Sequence, residues 1–247
     1  MFALEPGRLG PQLLALGESV AGSLAAIVIV SAHWQTPELR VMSTPQPQTI
    51  HDFGGFPQQL YQIRYPAIGT PQFSQSTRQL LEAIGLTVLM DDRRGLDHGA
   101  WVPLRYLAPS GSVPVFQVSL TDDLSCAGAI EIGRALSKLR TQGVMVVGSG
   151  SLTHNLHEYF RGLTDNAYAI QFVDWVRTQL EGRAQSHLVH YREQAPHALR
   201  AHPTEEHFLP LLVAFGASLA ADRFSVLQGG MDRALSMDSY VWSASAA

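Results

Sequence analysis

Ten histidines are spread through 247 residues. Five stand where histidine could do chemistry: His33, His51, His98, His154 and His207. His33 and His154 each follow an apolar run rich in β-branched residues, 25–30 and 144–147. Such runs read as buried parallel strands, and ligand sites in open α/β sheets lie beyond the carboxyl ends of strands. His51 and His98 fall in glycine-punctuated loops, His51-Asp52-Phe53-Gly54-Gly55-Phe56-Pro57 and Gly95-Leu96-Asp97-His98-Gly99-Ala100-Trp101. His207 reads as part of the first turn of a helix. Neutral imidazole is the commonest transition-metal ligand. No HxxxH or HExxH spacing is present, so spacing alone leaves open both metal ligation and ordinary hydrogen-bonded histidines. Asp52 and Asp97 either orient imidazoles or cap turns. Phe53, Phe56, Trp34 and Trp101 either line an aromatic pocket or pack a core. His157, His187, His190, His197 and His202 read as ordinary histidines.

The elements that must position these residues alternate between helix and strand. Helices are expected over 11–20, 72–84, 126–140, 166–180 and 205–216, with a short one running through Tyr106. Strands are expected over 24–31, 39–43, 87–90 and 113–119, with a central strand from Val144 leading to His154 and closing strands over 224–227 and 239–242. In the 205–216 helix, Thr204 is the expected N-cap, and Glu205 and Glu206 suit the positive end of the helix dipole. The fold class that follows is a single α/β domain spanning 1–247, with a central mostly parallel mixed sheet flanked by helices. No repeat or linker divides it.

Composition narrows the function. The net charge is −4 without a basic cluster, which argues against nucleic acid as a partner. Only 15% of residues are charged and 46% are hydrophobic, which suits a well-buried sheet and a homo-oligomer interface. The one cysteine, Cys126, excludes an intrachain disulfide and suits a reducing, cytoplasmic setting. The start has no basic segment followed by an apolar core, so it is not a secretory signal. The apolar stretch 13–30 is broken by Gly17, Glu18 and Gly22 and reads as helix then strand, not a membrane span. Gly148-Ser149-Gly150-Ser151 lacks the G-x-S-x-G spacing of a hydrolase elbow. It also lacks the lysine of a phosphate-binding loop.

Five motifs stand in a familiar order: Ser31-Ala32-His33-Trp34, the two glycine-rich loops, Thr153-His154-Asn155-Leu156, and His202-Pro203-Thr204-Glu205-Glu206-His207-Phe208-Leu209-Pro210-Leu211. With them the sequence resembles the DOPA-dioxygenase-like class III extradiol ring-cleavage dioxygenases, relatives of the protocatechuate 4,5-dioxygenase β subunit, from about Pro11 onward. The resemblance implies one mononuclear divalent metal, Fe(II) for turnover or Zn(II) as found, with a small aromatic diol and dioxygen as substrates. It places His33 and His207 at metal-ligand positions. His154 matches a histidine that acts as acid and base and is in some relatives assigned to the metal. His98 matches a histidine near substrate and dioxygen. His51, Phe53, Phe56 and Trp101 belong to motifs on the substrate side, with the role of His51 open.

The family it resembles normally opens with a strand ending in a His-Gly-Ser-Pro motif that supplies a ligand. The expectation is that this chain starts at a methionine following that motif and lacks the first family strand with its ligand. At His207, relatives of the β-subunit type carry a glutamate. On a helix, Glu205 and Glu206 would lie about 100–200° around from His207 and could not replace it. Besides ring cleavage, two readings stand: a metal-binding protein without turnover, and a zinc-dependent hydrolase.

Overall fold

The computed structural model describes residues 2–244. The apolar run before His33 becomes the most deeply buried element of the sheet: residues 26–30 of β1 (Ala26–Thr36) are fully shielded. Each such Val or Ile contributes about 1.5–3 kcal/mol by leaving water. β1 pairs in parallel with β4 (Val115–Thr121) on one side and β5 (Val144–Ser149) on the other. β2 (Leu39–Met42) runs parallel to β3 (Val88–Asp91) and meets β4 antiparallel at Val41 and Val118. The order β3-β2-β4-β1-β5 gives the mostly parallel mixed sheet expected.

Helices cover both faces: α1 (Leu9–Val20), α2 (Pro71–Glu82), α3 (His98–Leu107), α4 (Cys126–Leu136), α5 (Ala167–Glu181) and α6 (Leu209–Ala217). β6 (Arg223–Leu227) and β7 (Ser239–Ser243) form their own antiparallel ladder instead of closing the main sheet. No helix among the described residues is long and apolar enough to cross a membrane. What precedes Met1 lies outside the described residues.

Four expectations need correction. His33 is not in a loop after a strand but inside β1, which runs on to Thr36. There the register against β4 slips between Val30 and Gln35, and such an irregularity re-aims side chains at a sheet's rim. His98 is not in a loop but is the first residue of α3, because Asp97 caps that helix by accepting from the Ala100 N–H. The strand leading to His154 ends at Ser149 and stands at the sheet's edge, not its centre.

The fourth correction is the helix expected over 205–216. It begins at Leu209 and ends at Ala217, so His207 precedes it. Pro210 explains this. Proline has no N–H to join a ladder already under way, but it is tolerated in a first turn. Thr204 is therefore not an N-cap; its hydroxyl donates to Glu206 Oε1 at 2.8 Å.

Candidate metal centre

The sheet's carboxyl end delivers His33 and His154, α3 brings His98, and the turn ahead of α6 brings His207. Gly99, next to His98, is where α3 meets β1: a Cβ there would lie 2.3 Å from Ser31 Oγ and 3.1 Å from His33 Cδ2. Beyond β5, Gly150 lets the 205–208 turn close in, since a Cβ would lie 2.2 Å from the His207 carbonyl oxygen. That carbonyl accepts the Ser151 N–H at 3.0 Å, while the His154 N–H donates to Ala201 at 2.7 Å. The glycine-serine stretch thus admits a backbone and fixes His207 beside His154. It forms neither an elbow nor a phosphate cradle.

Four imidazoles result, in sequence of contact His98, His33, His207, His154. The His98 and His33 rings are 3.9 Å apart between centroids. His33 and His207 meet edge to face at 4.9 Å, their Nε2 atoms 3.3 Å apart. His207 and His154 stack at 3.3 Å. Burial, with the neighbouring imidazoles, lowers the pKa of His33 to about 4 and that of His154 to about 3. Both are therefore neutral near pH 7, the form that ligates metals and accepts protons.

Two carboxylates hold this row. Glu206 Oε1 accepts from His207 Nδ1 at 3.0 Å, which leaves Nε2 of His207 with its lone pair facing His33. The hydrogen bond to His207 is the main cause that holds the Glu206 carboxyl at about 2. Asp52 accepts twice from His98, from the backbone N–H at 2.8 Å and from Nδ1 at 3.0 Å. Burial alone would raise its carboxyl, but the bonds to His98 outweigh burial and bring it to about 2. Donor atoms converge within 4.8 Å in two groups, His33 with Asp52 and His98, and His154 with Glu206 and His207. The histidines proposed from sequence as ligands, His33, His154 and His207, draw on both.

The donor set fits a cation. Two nitrogens each about 2.0–2.1 Å from one ion in tetrahedral array lie roughly 3.3–3.4 Å apart. The 3.3 Å between the Nε2 atoms of His33 and His207 matches that spacing. All four histidines line one end of a cavity of about 720 Å³ that continues along β5 between apolar side chains such as Leu13, Met145 and Trp242.

The aromatic residues divide. Phe53 packs edge-on against His98 at 5.5 Å, with the half-exposed Phe56 beside it at 5.5 Å. Trp101 is fully buried and its indole donates to the Ile50 carbonyl at 2.9 Å, so it is a floor under this loop, not a wall of the cavity. His51 lies apart from the row of imidazoles. Its Nε2 bonds the Ile63 carbonyl at 3.1 Å and its ring rests near Phe53 and Trp101. Asp52 orients an imidazole, whereas Asp97 caps α3 and pairs with Arg94 and Ser31 in full burial. His202 is buried and donates to the Leu152 carbonyl at 2.7 Å, anchoring the loop ahead of His154.

Glu206 is the candidate site residue that the helical reading sets aside, and it accepts from His207 Nδ1 within a candidate metal-binding group. Pro210, four residues on, was the signal that the helix starts later.

Residues 17–227 match the family model of the catalytic LigB subunit of aromatic ring-opening dioxygenase. The 4,5-DOPA dioxygenase extradiol of Escherichia coli (strain K12) is 40% identical over 197 residues, 78% of this chain and 72% of that protein. The protein of the same description from Beta vulgaris is 37% identical over 210 residues, 84% of this chain and 78% of that one. The crystal structure of an uncharacterized protein from Escherichia coli K12 superposes with a TM-score of 0.78 at 30% identity. It covers 94% of this chain and 91% of the other.

Proposed function

The chain belongs to the family of the catalytic LigB subunit of aromatic ring-opening dioxygenases, and on that premise we propose that it performs extradiol cleavage of a catechol-type, DOPA-like ring with dioxygen at one mononuclear divalent metal. The observation that carries this reading is the facing pair of Nε2 atoms, 3.3 Å apart, in the same cavity as two further imidazoles. His33 and His207 hold the metal, with His154 stacked against His207 at its edge. A ferrous ion held there would supply Lewis acidity toward the diol and redox chemistry with dioxygen, the latter of which redox-inert zinc would not.

The chain's own residues do the rest. His154, neutral because it is buried, accepts a proton from a diol hydroxyl and later returns one, as base then acid. His98 packs against His33 within the cavity, with Phe53 behind it at 5.5 Å. Phe53 backs the His98 ring edge-on, an arrangement worth about 0.5–1.5 kcal/mol beyond area. Glu206 keeps the Nε2 of His207 free for ligation.

The test is anaerobic loading with ferrous ion, measurement of bound metal, and oxygen uptake on a catechol panel that includes DOPA. Stoichiometric metal with oxygen uptake and a ring-opened product is expected. Stoichiometric ferrous ion with no uptake on any catechol would overturn the reading in favour of metal binding without turnover.

A further inference from the structure

Asp52 is committed to one residue. It comes from the loop between β2 and α2, yet both of its oxygens face His98: Oδ1 takes the backbone N–H and Oδ2 the ring Nδ1. The next group along, His33 Nδ1, is farther from Oδ2, at 3.7 Å. An ionised carboxylate accepts hydrogen bonds and cannot donate them, so the Nδ1 of His98 must carry the ring proton. In the neutral imidazole, Nε2 is then left with a lone pair. The backbone of His98 is fixed independently as the first residue of α3 under the Asp97 cap. Phe53 and His33 both pack against the ring, and His98 lines the cavity.

We propose that Asp52 is a positioning residue that locks His98 in the Nδ1–H tautomer, so that His98 presents Nε2 to the bound aromatic diol as a hydrogen-bond acceptor. The part concerning the diol rests on the ring-cleavage reading; the tautomer does not. His98 therefore receives a hydrogen bond or a proton from the substrate side and does not donate one. The lock works over a separation of 46 residues, so it forms only when the 50–57 loop is docked on the start of α3.

Asp52→Asn tests this sharply. The His98 backbone N–H is a fixed donor, so the amide must turn its oxygen toward it. Its NH₂ then faces Nδ1 and forces the ring proton to Nε2. In ¹⁵N-histidine spectra of the zinc-loaded protein, His98 is expected as Nδ1–H in the parent and Nε2–H in Asp52→Asn, with metal content unchanged. In the ferrous enzyme, kcat on a catechol is expected to fall about a hundredfold, in the range of one lost acid–base partner, with KM moving much less. Asp52→Glu keeps an acceptor and should retain the Nδ1–H tautomer and most of kcat; it also serves should the asparagine variant fold poorly. An unchanged tautomer in Asp52→Asn, or an Nε2–H parent, would overturn the proposal. So would a loss of bound metal, which would make Asp52 a ligand. A tautomer that switches as expected in a protein that opens no catechol would leave the lock standing and overturn the ring-cleavage reading instead.

Discussion

The two carboxylate–histidine pairs flank the same row of imidazoles but are built in opposite ways. Glu206 and His207 are neighbours in sequence, in a turn pinned by the Ser151 bond to the His207 carbonyl, and the His207 side chain is only 9% exposed. Asp52 and His98 are 46 residues apart; the two carboxylates are equally exposed at 24%, but the His98 side chain is more open, at 31%. On the proposed reading, in which His207 holds the metal and His98 meets the diol, the difference follows the task. A ligand must be dry and held before the metal arrives, and an adjacent carboxylate does that locally. A group that meets substrate must stay reachable, and its holder can come from a loop that docks from elsewhere in the fold.

Breaking the two sides separately should give different failures. The largest effect is expected for His207→Ala, and equally His33→Ala: bound metal is lost and oxygen uptake falls to the assay floor, read by metal analysis beside an oxygen electrode. Stoichiometric metal in either variant would remove that residue from the ligand set. Next comes His154→Ala, which should retain much of the metal while losing about 10²–10⁴ in kcat. Normal turnover there would remove His154 from the mechanism.

Glu206→Gln sharpens the comparison. It should weaken metal affinity about 10–100-fold, measured by competition with a chelator, whereas Asp52→Asn should leave that affinity unchanged. Equal losses in both would erase the distinction between the pairs.

The mildest effect is on the stability of the metal-free protein. His33 and His154 have folded-state values of about 4 and 3, below their ordinary 6.5. As pH falls from about 6.5 toward 4, the unfolded chain binds protons first, so stability drops across that window. Asp52 and Glu206, held near 2, contribute stability that is lost only at lower pH, between their ordinary carboxylate range and about 2. Urea midpoints of chelator-treated protein from pH 7 to 4 should fall, and His33→Gln should flatten the slope. A flat profile in the parent would show that these histidines are not buried neutral.

The sequence by itself determined much of this protein. The unbroken apolar run before His33 reads as a shielded strand and is one, whereas the run before His154 forms an edge strand in which only Val144 is buried. Histidines placed after such strands arrive at one end of a parallel sheet, where parallel neighbours all end together. Asp97 before His98 is a helix cap, one of the two readings its position allows from sequence. Local chemistry of this kind is legible because both partners lie within a few residues.

Tertiary structure decided the rest. The acidity pattern at Glu205 and Glu206 suggested a helix start, but Pro210 cannot join a ladder begun five residues earlier, and the segment turns instead. That turn brings Glu206 onto His207, where helical geometry would have carried it away. Trp101 and Phe53 looked alike as loop aromatics. Only the packing of the 50–57 loop on α3 buried one and left the other against His98. The Asp52–His98 bond joins positions whose separation carries no periodic signal, because it is made by the docking of the 50–57 loop on the start of α3 and not by either alone.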